Sequence, residues 1–351
     1  MTRLALLTEI PAPYRIPLFN ALASRLELHV VFLRERNPLR PYDLHADELH
    51  FERSVLPGFD LTLGGRWLVV NAGATRPLRD ADAVLLGGWN QPAFWRALLW
   101  CRLHRVPVVI WVESTARDRR SGKLERAKRS LLAGVSGFVV PGQASRDYLL
   151  ALGVAVEKIT VAPNAVDPGI FAAGVRSRGD GPVRLLAVGR LAREKGIDTL
   201  LAAARGLPVE LVLAGTGPEE ARLRALAGPN TTFLGQVERD ALPRLYADAD
   251  VAVVPSRSEP WGMVLNEAAL AGLPLVSTTA TGAAFELVED GVNGFRVPPD
   301  DVPALREALR QLVEDASFRH AAGMRSREIA SRFTPETWAD AVCQAVERAA
   351  G

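Results

Sequence analysis

Short, mostly apolar runs punctuate this chain, and between them lie longer stretches whose apolar residues recur with helical spacing. The runs fall at 4–7, 28–33, 83–86, 108–112 and 138–140. Continuous rather than alternating hydrophobicity marks strands buried on both faces, as in a parallel sheet covered by helices. The pattern pauses at 164–181, where Pro, Gly and Arg are frequent, and restarts at 183–188, 209–214, 251–254 and 275–277. A restart after a turn-rich stretch predicts two α/β domains: 1–167, a linker at 168–181, and 182–332. The segment 333–351 reads as a last helix, opened by Thr334-Pro335 as N-cap and N1, which could pack on either domain, including back across the first. Two such doubly wound sheets would face each other across a cleft, with ligands in the turns that follow the strands.

Composition narrows the picture further. With 351 residues, 48% of them hydrophobic, the chain can fill two cores. Its 42 basic residues nearly balance 40 acidic ones, so no nucleic-acid partner is expected. Cys101 and Cys343 are too few for a disulfide framework and lack zinc-site spacing, which fits a reducing, cytoplasmic compartment. The first residues lack the long apolar region of a signal peptide and read as a strand. Arg102, His104 and Arg105 interrupt the most apolar longer stretch, so no transmembrane span is expected.

One segment leaves peripheral contact with the inner membrane face open. Between Glu113 and Arg129 there are seven basic residues (Arg117, Arg119, Arg120, Lys123, Arg126, Lys128, Arg129) against three acidic ones, a net +4, with Phe94, Trp95 and Trp100 just upstream. Such a segment, here 117–129, can dock on anionic lipid, or it is a solvated helix face above buried aromatics. Asp80-Ala81-Asp82 and Asp248-Ala249-Asp250 have a spacing that binds divalent metals elsewhere. Each directly precedes an apolar run and reads as a polar strand cap, so no metal is expected. His104 reads as a surface helix cap.

Two stretches carry the candidate chemistry. After 183–188 come Gly189 and Arg190, and then Lys195 and Gly196 at a helix start. A glycine turn entering a helix offers free backbone N–H groups to an anion, and Arg190 and Lys195 supply the charge a diphosphate needs. After 251–254 comes Ser258-Glu259-Pro260-Trp261-Gly262-Met263-Val264-Leu265-Asn266-Glu267, in which Pro260 and Gly262 suit a helix start. Glu259 then precedes the helix and Glu267 lies about two turns inside it, roughly 12 Å further along. That is comparable with the span from a sugar across a pyrophosphate to a ribose. Alternatively, one glutamate is an ordinary cap and the other an exposed helix residue.

Together these segments resemble the donor-binding half of glycosyltransferase family 4, whose members have the GT-B architecture of two Rossmann-like domains. The resemblance also rests on Leu213-Ala214-Gly215-Thr216-Gly217-Pro218, Phe233-Leu234-Gly235-Gln236-Val237, Asn164-Ala165-Val166-Asp167 and the Glu-x7-Glu pattern of Glu259 and Glu267. It implies a retaining, metal-independent transfer of a hexose-type sugar from a nucleotide-diphosphate donor of UDP or GDP type, without a cofactor. It implies that Gly189, Arg190, Lys195 and Gly215 belong to the pyrophosphate loops and that Glu259 holds the transferred sugar. Glu267 would hold the ribose, while Gly262 and Met263, followed by Val264, offer amides. Gln236 and Val237 would border the base.

In the first half, Thr8-Glu9-Ile10-Pro11-Ala12-Pro13-Tyr14-Arg15 resembles the opening of one subgroup of that family, and Tyr14 and Arg15 are the acceptor-side candidates. Many relatives carry a histidine at the end of the strand at 108–112. Here Glu113 stands near that position, either to orient a hydroxyl or act as a base, or as a helix cap. The acceptor would be a sugar, a lipid-linked glycan or a small molecule. Two rival readings are a noncatalytic nucleotide-sugar sensor and a nucleotide-sugar epimerase, the latter disfavoured by the paired glutamates.

Overall fold

Each apolar run forms a strand hydrogen-bonded to parallel neighbours, because a strand with no polar face must be covered on both sides. The computed structural model describes residues 1–37, 46–63, 66–116, 128–130, 132–171 and 181–351. Two units result: Met1–Ala165 with Pro335–Gly351, and Val166–Thr334.

The first unit holds β1 (Arg3–Thr8), β2 (Glu27–Phe32), β3 (Glu52–Val55), the hairpin β4 (Gly58–Leu63) with β5 (Arg66–Asn71), β6 (Ala83–Leu86), β7 (Val108–Trp111), β8 (Gly137–Val140) and β9 (Ile159–Val161). Seven of these make a parallel sheet in the order β3-β2-β1-β6-β7-β8-β9. Among the described residues its helices include α1 (Ile16–Ala23), α2 (Pro92–His104) and α3 (Gln143–Ala151).

In the second unit α4 (Pro168–Phe171) leads to β10 (Val183–Val188), α5 (Ile197–Ala204), β11 (Val209–Ala214), α6 (Glu220–Leu226), β12 (Thr231–Gly235) and α7 (Leu242–Ala247). There follow β13 (Val251–Val254), α8 (Met263–Leu270), β14 (Leu275–Thr278), α9 (Ala284–Leu287), β15 (Gly294–Val297), α10 (Val302–Glu314) and α11 (Ala316–Ala330). The sheet order is β12-β11-β10-β13-β14-β15, parallel throughout. Alternate strand residues serve opposite faces: Leu186, Ala252 and Val254 pack toward α8, while Leu185, Val251 and Val253 pack toward α5 and α10. Asp301 and Asp315 start α10 and α11, their carboxylates accepting from the N–H groups of Ala304 (2.9 Å) and Phe318 (2.8 Å).

In each sheet the strand order reverses beside the first strand, between β1 and β6 and between β10 and β13. Loops leaving two such strands diverge and open a crevice at their C-terminal ends. Both units staple this point alike. Asp82 accepts from the N–H of Arg3 (2.9 Å) and Asp250 from that of Arg184 (2.8 Å), so the two Asp-Ala-Asp motifs fasten neighbouring strands.

The last helix, α12 (Pro335–Ala350), belongs to the first unit. Trp338 is fully buried, its ring 5.0 Å from Trp111 and 6.4 Å from Phe19, and Arg25 pairs with Asp340 at 2.5 Å. Of the stretch expected to be linker, 168–171 forms α4. Phe171 lies in the second core 5.8 Å from the Tyr246 ring, and 172–180 lie outside the described residues.

Candidate functional site

The crevice of the second unit gathers the loops after β10, β11 and β13. Gly189 donates to the Ala214 carbonyl (2.8 Å), Leu191 to that of Thr216 (2.8 Å), and Gly215 to that of Gly235 (2.7 Å), which laces three strand ends together. Gly215 is required twice over: its φ is +134°, and a Cβ there would lie 2.0 Å from the Gly189 carbonyl oxygen. Gly262 caps α8 at φ +101°, where a Cβ would sit 2.8 Å from a Thr281 methyl carbon. No side chain caps α8; the Leu265 N–H donates to the Gly262 carbonyl (2.9 Å), while those of Met263 and Val264 have no partner among the described residues and face a ligand.

Gly189, Arg190, Lys195, Glu259, Gly262 and Val264 line one recess, joined by Ser256. Lys195 and Glu259 form a direct ion pair there, with side chains 26% and 18% exposed. Arg190 is exposed and makes no ion pair among the described residues. The recess therefore presents one free cation, one cation shared with a carboxylate, and the positive end of a helix. The Ser256 hydroxyl is buried and lacks a hydrogen-bond partner among the described residues. Gln236 is exposed beyond the edge strand β12, Val237 and Met263 are half-buried, and none of the three lines this recess.

Glu267 lies further along α8. The Tyr246 hydroxyl donates to its Oε2 at 2.6 Å, leaving Oε1 to accept from elsewhere. Burial raises the Glu267 pKa, against the opposing pull of the Tyr246 bond and the Arg239 charge. Burial and then the Glu267 charge raise that of Tyr246. Tyr246 and Ser256 were not legible as site residues, because nothing in their local sequence marks them. Only the packing of α7 near α8 and the end of β13 brings them in.

In the first unit the structure joins two residues considered separately in the sequence. Arg15 donates to Glu113 Oε2 at 3.0 Å and to Thr8 Oγ1 at 3.1 Å, and its guanidinium lies 4.5 Å from the centre of the Trp111 ring. Asn164 Nδ2 donates to the other Glu113 oxygen at 2.9 Å. Burial disfavours the Arg15 charge, but Glu113, with lesser contributions from Tyr14 and Glu9, more than compensates and holds the guanidinium above its ordinary pKa. Both Glu113 oxygens are thus held by side chains. Tyr14 is half-buried, its ring centre 5.8 Å from the Arg15 guanidinium.

Of the basic segment 117–129, residues 117–127 lie outside the described residues. Lys128 is turned onto aromatics, 3.6 Å from the Trp89 ring centre and 2.8 Å from the Tyr148 hydroxyl. His104 stacks on Trp100 at 4.1 Å. Among the described residues no group of three or more His, Cys, Asp or Glu is placed to hold a metal, and no helix is long and apolar enough to cross a membrane.

Residues 18–170 match the glycosyltransferase family 4 profile, and residues 175–329 match that of glycosyl transferases group 1. Among curated relatives, the glycogen synthase of Mycobacterium tuberculosis is 33% identical over 269 residues, 71% of this chain and 64% of that one. The alpha-D-kanosaminyltransferase of Streptomyces kanamyceticus is 33% identical over 150 residues, 40% of this chain and 38% of that one. The chain thus spans less than two thirds of these relatives' lengths. Among solved structures, Anabaena HepE with UDP superposes with a TM-score of 0.76 at 21% identity, over 99% of this chain and 100% of that one. The same protein with UDP and glucose gives a TM-score of 0.74 at 19% identity over the same shares. The fold is therefore shared with these proteins.

Proposed function

Because the chain belongs to glycosyltransferase family 4, we propose that it moves a hexose-type sugar from a UDP- or GDP-sugar to an acceptor hydroxyl, with retention of configuration and without a metal. The observation that carries this reading is the Lys195–Glu259 ion pair in a recess closed by the glycine turn at Gly189 and the uncapped N-terminus of α8. An arriving diphosphate gives Lys195 a second anion. Lys195 and Arg190, with the α8 amides, then neutralise the charge that develops as the sugar–phosphate bond breaks. Glu259, released in part from Lys195, accepts from hydroxyls of the transferred sugar. Glu267 accepts from the ribose through the oxygen that Tyr246 leaves open. That HepE was solved with UDP, and with UDP and glucose, supports a nucleotide-sugar donor here.

In this mechanism the departing diphosphate takes the bonding electron pair and an acceptor hydroxyl adds from the same face of the sugar, its proton passing to a diphosphate oxygen. The acceptor is a sugar, a lipid-linked glycan or a small molecule, recognised on the first unit near Tyr14. The test is release of nucleoside diphosphate from UDP- and GDP-sugars in the presence of EDTA, for the wild type, Glu259→Ala and Arg190→Ala. Metal-free release from one donor, lost in both variants, is expected. Tight donor binding with no release under any acceptor condition would replace the transferase by a noncatalytic sensor.

A further inference from the structure

One side chain outside the proposed donor contacts ties together the two loops that carry the Lys195–Glu259 pair. Arg257 lies two residues before Glu259, and its backbone N–H donates to the carbonyl of Glu194 at 2.7 Å, one residue before Lys195. Its guanidinium spreads in three directions. Nη1 donates to the Arg193 carbonyl at 2.6 Å, Nε to Asp300 Oδ1 at 2.6 Å, and Nη2 reaches Asp198 Oδ1 at 2.9 Å and Thr199 Oγ1 at 3.3 Å. The loop after β10, the first turn of α5, the loop after β15 and the loop after β13 are thereby tied to one planar group. A second contact shows how closely the two loops bearing the pair approach: a Cβ on Gly196 would fall 2.1 Å from the Pro255 carbonyl oxygen.

The anchors are themselves fixed. Asp300 holds a left-handed backbone at φ +63°, which aspartate tolerates, and also accepts from Thr199 at 3.1 Å. Asp198 stays ionised because hydrogen bonds from Arg222 and Arg257 outweigh its burial and hold its carboxyl below the ordinary pKa. Nothing in Ser256-Arg257-Ser258-Glu259 marks this arginine apart from any exposed loop cation.

We propose that Arg257 is a positioning residue that holds the Lys195 loop and the Glu259 loop in the register needed for sugar transfer, an inference that rests on the donor-site reading above. Arg257 does not line the recess that holds Lys195 and Glu259. It acts by keeping an ammonium and a carboxylate, each on its own loop, at the spacing a sugar diphosphate requires. Lysine cannot replace it, since a single ammonium has no planar fork to meet three anchors at once.

The experiment compares Arg257→Met, Arg257→Lys and Asp300→Asn with Arg325→Met, which removes ion pairs to Glu289 and Glu328 and touches neither loop nor any anchor of Arg257. Four readings are taken on the full chain: kcat and KM for donor turnover, melting temperature, and amide exchange at 193–196 and 256–262. Arg257→Met is expected to lower kcat about 10- to 100-fold, as a misplaced active-site group does, and to speed exchange in both loops. Arg257→Lys should behave alike and Asp300→Asn more mildly, while Arg325→Met keeps turnover within about twofold. Unchanged kcat and unchanged loop exchange in Arg257→Met overturn the proposal. If that variant does not fold, wild-type exchange and turnover in Asp300→Asn overturn it instead. A wild type inert toward every nucleotide sugar sinks the transferase reading, and loop exchange alone then decides whether Arg257 ties the loops.

Discussion

Both units place an ion pair in the loops at the C-terminal ends of a parallel sheet, yet the two pairs are built for different work. Arg15 and Glu113 are surrounded: the guanidinium bonds Thr8 and stacks near Trp111, the carboxylate also accepts from Asn164, and the Arg15 side chain is only 12% exposed. Lys195 and Glu259 meet through one ammonium contact beside an exposed Arg190 and an uncapped helix. A planar cation held from several sides is a structural tie. A single ammonium on a flexible stem can be shared with an incoming anion. The same scaffold thus carries a closed pair in one half and an exchangeable pair in the other.

The largest effect expected from breaking this contrast is on stability. Arg15→Met leaves the half-buried Glu113 carboxylate without its cation and should cost about 3 kcal/mol in urea unfolding, as for other buried pairs cut on one side. Lys195→Met cuts a single ammonium contact but leaves Glu259, 18% exposed, without its cation, and should cost about 1.5 kcal/mol in the same assay while lowering donor turnover about 100-fold, roughly 2.7 kcal/mol of transition-state stabilisation. Equal stability losses in the two variants would erase the distinction between the pairs.

A smaller effect concerns Glu267. Tyr246→Phe removes a hydrogen bond to a carboxylate and should weaken nucleotide binding by about 1.5 kcal/mol, near tenfold, measured by calorimetry. On the proposed donor-site reading the binding form is the carboxylate, and burial raises its pKa. Affinity should therefore fall as pH drops through a value above the ordinary glutamate range, and Glu267→Gln should bind more weakly with that pH dependence gone. For folding the sign is reversed: the folded state favours the protonated acid, so this stabilising contribution is present at acid pH and lost as pH rises through the folded pKa. The smallest contrast is between the two strand staples. Asp250→Ala, at a buried position, should cost about 1–2 kcal/mol in urea unfolding and Asp82→Ala, at an exposed one, less than about 1 kcal/mol.

Legibility followed burial and local geometry. The central strands could be read because both their faces are buried, which leaves continuous apolar runs such as Val251–Val254. The edge strands β3 and β12 and the hairpin β4–β5 were missed, since half-exposed strands mix polar and apolar residues in stretches too short for a clear period. Gly189, Arg190, Lys195, Glu259 and Gly262, which line one recess, could be singled out beforehand because a glycine turn or a helix start marks its loop locally.

The sequence by itself determined the two-domain α/β class, the family, and the glycine-bearing loops that carry Arg190, Lys195 and Glu259, because each depends on residue types at short spacing. Only the tertiary structure decided which charges meet. The pairings of Arg15 with Glu113, Lys195 with Glu259, Tyr246 with Glu267 and Arg257 with Asp300 join residues 21 to 98 positions apart. Strand order and loop packing bring them within hydrogen-bond reach, and no local pattern encodes a contact that depends on how two distant loops leave the same sheet.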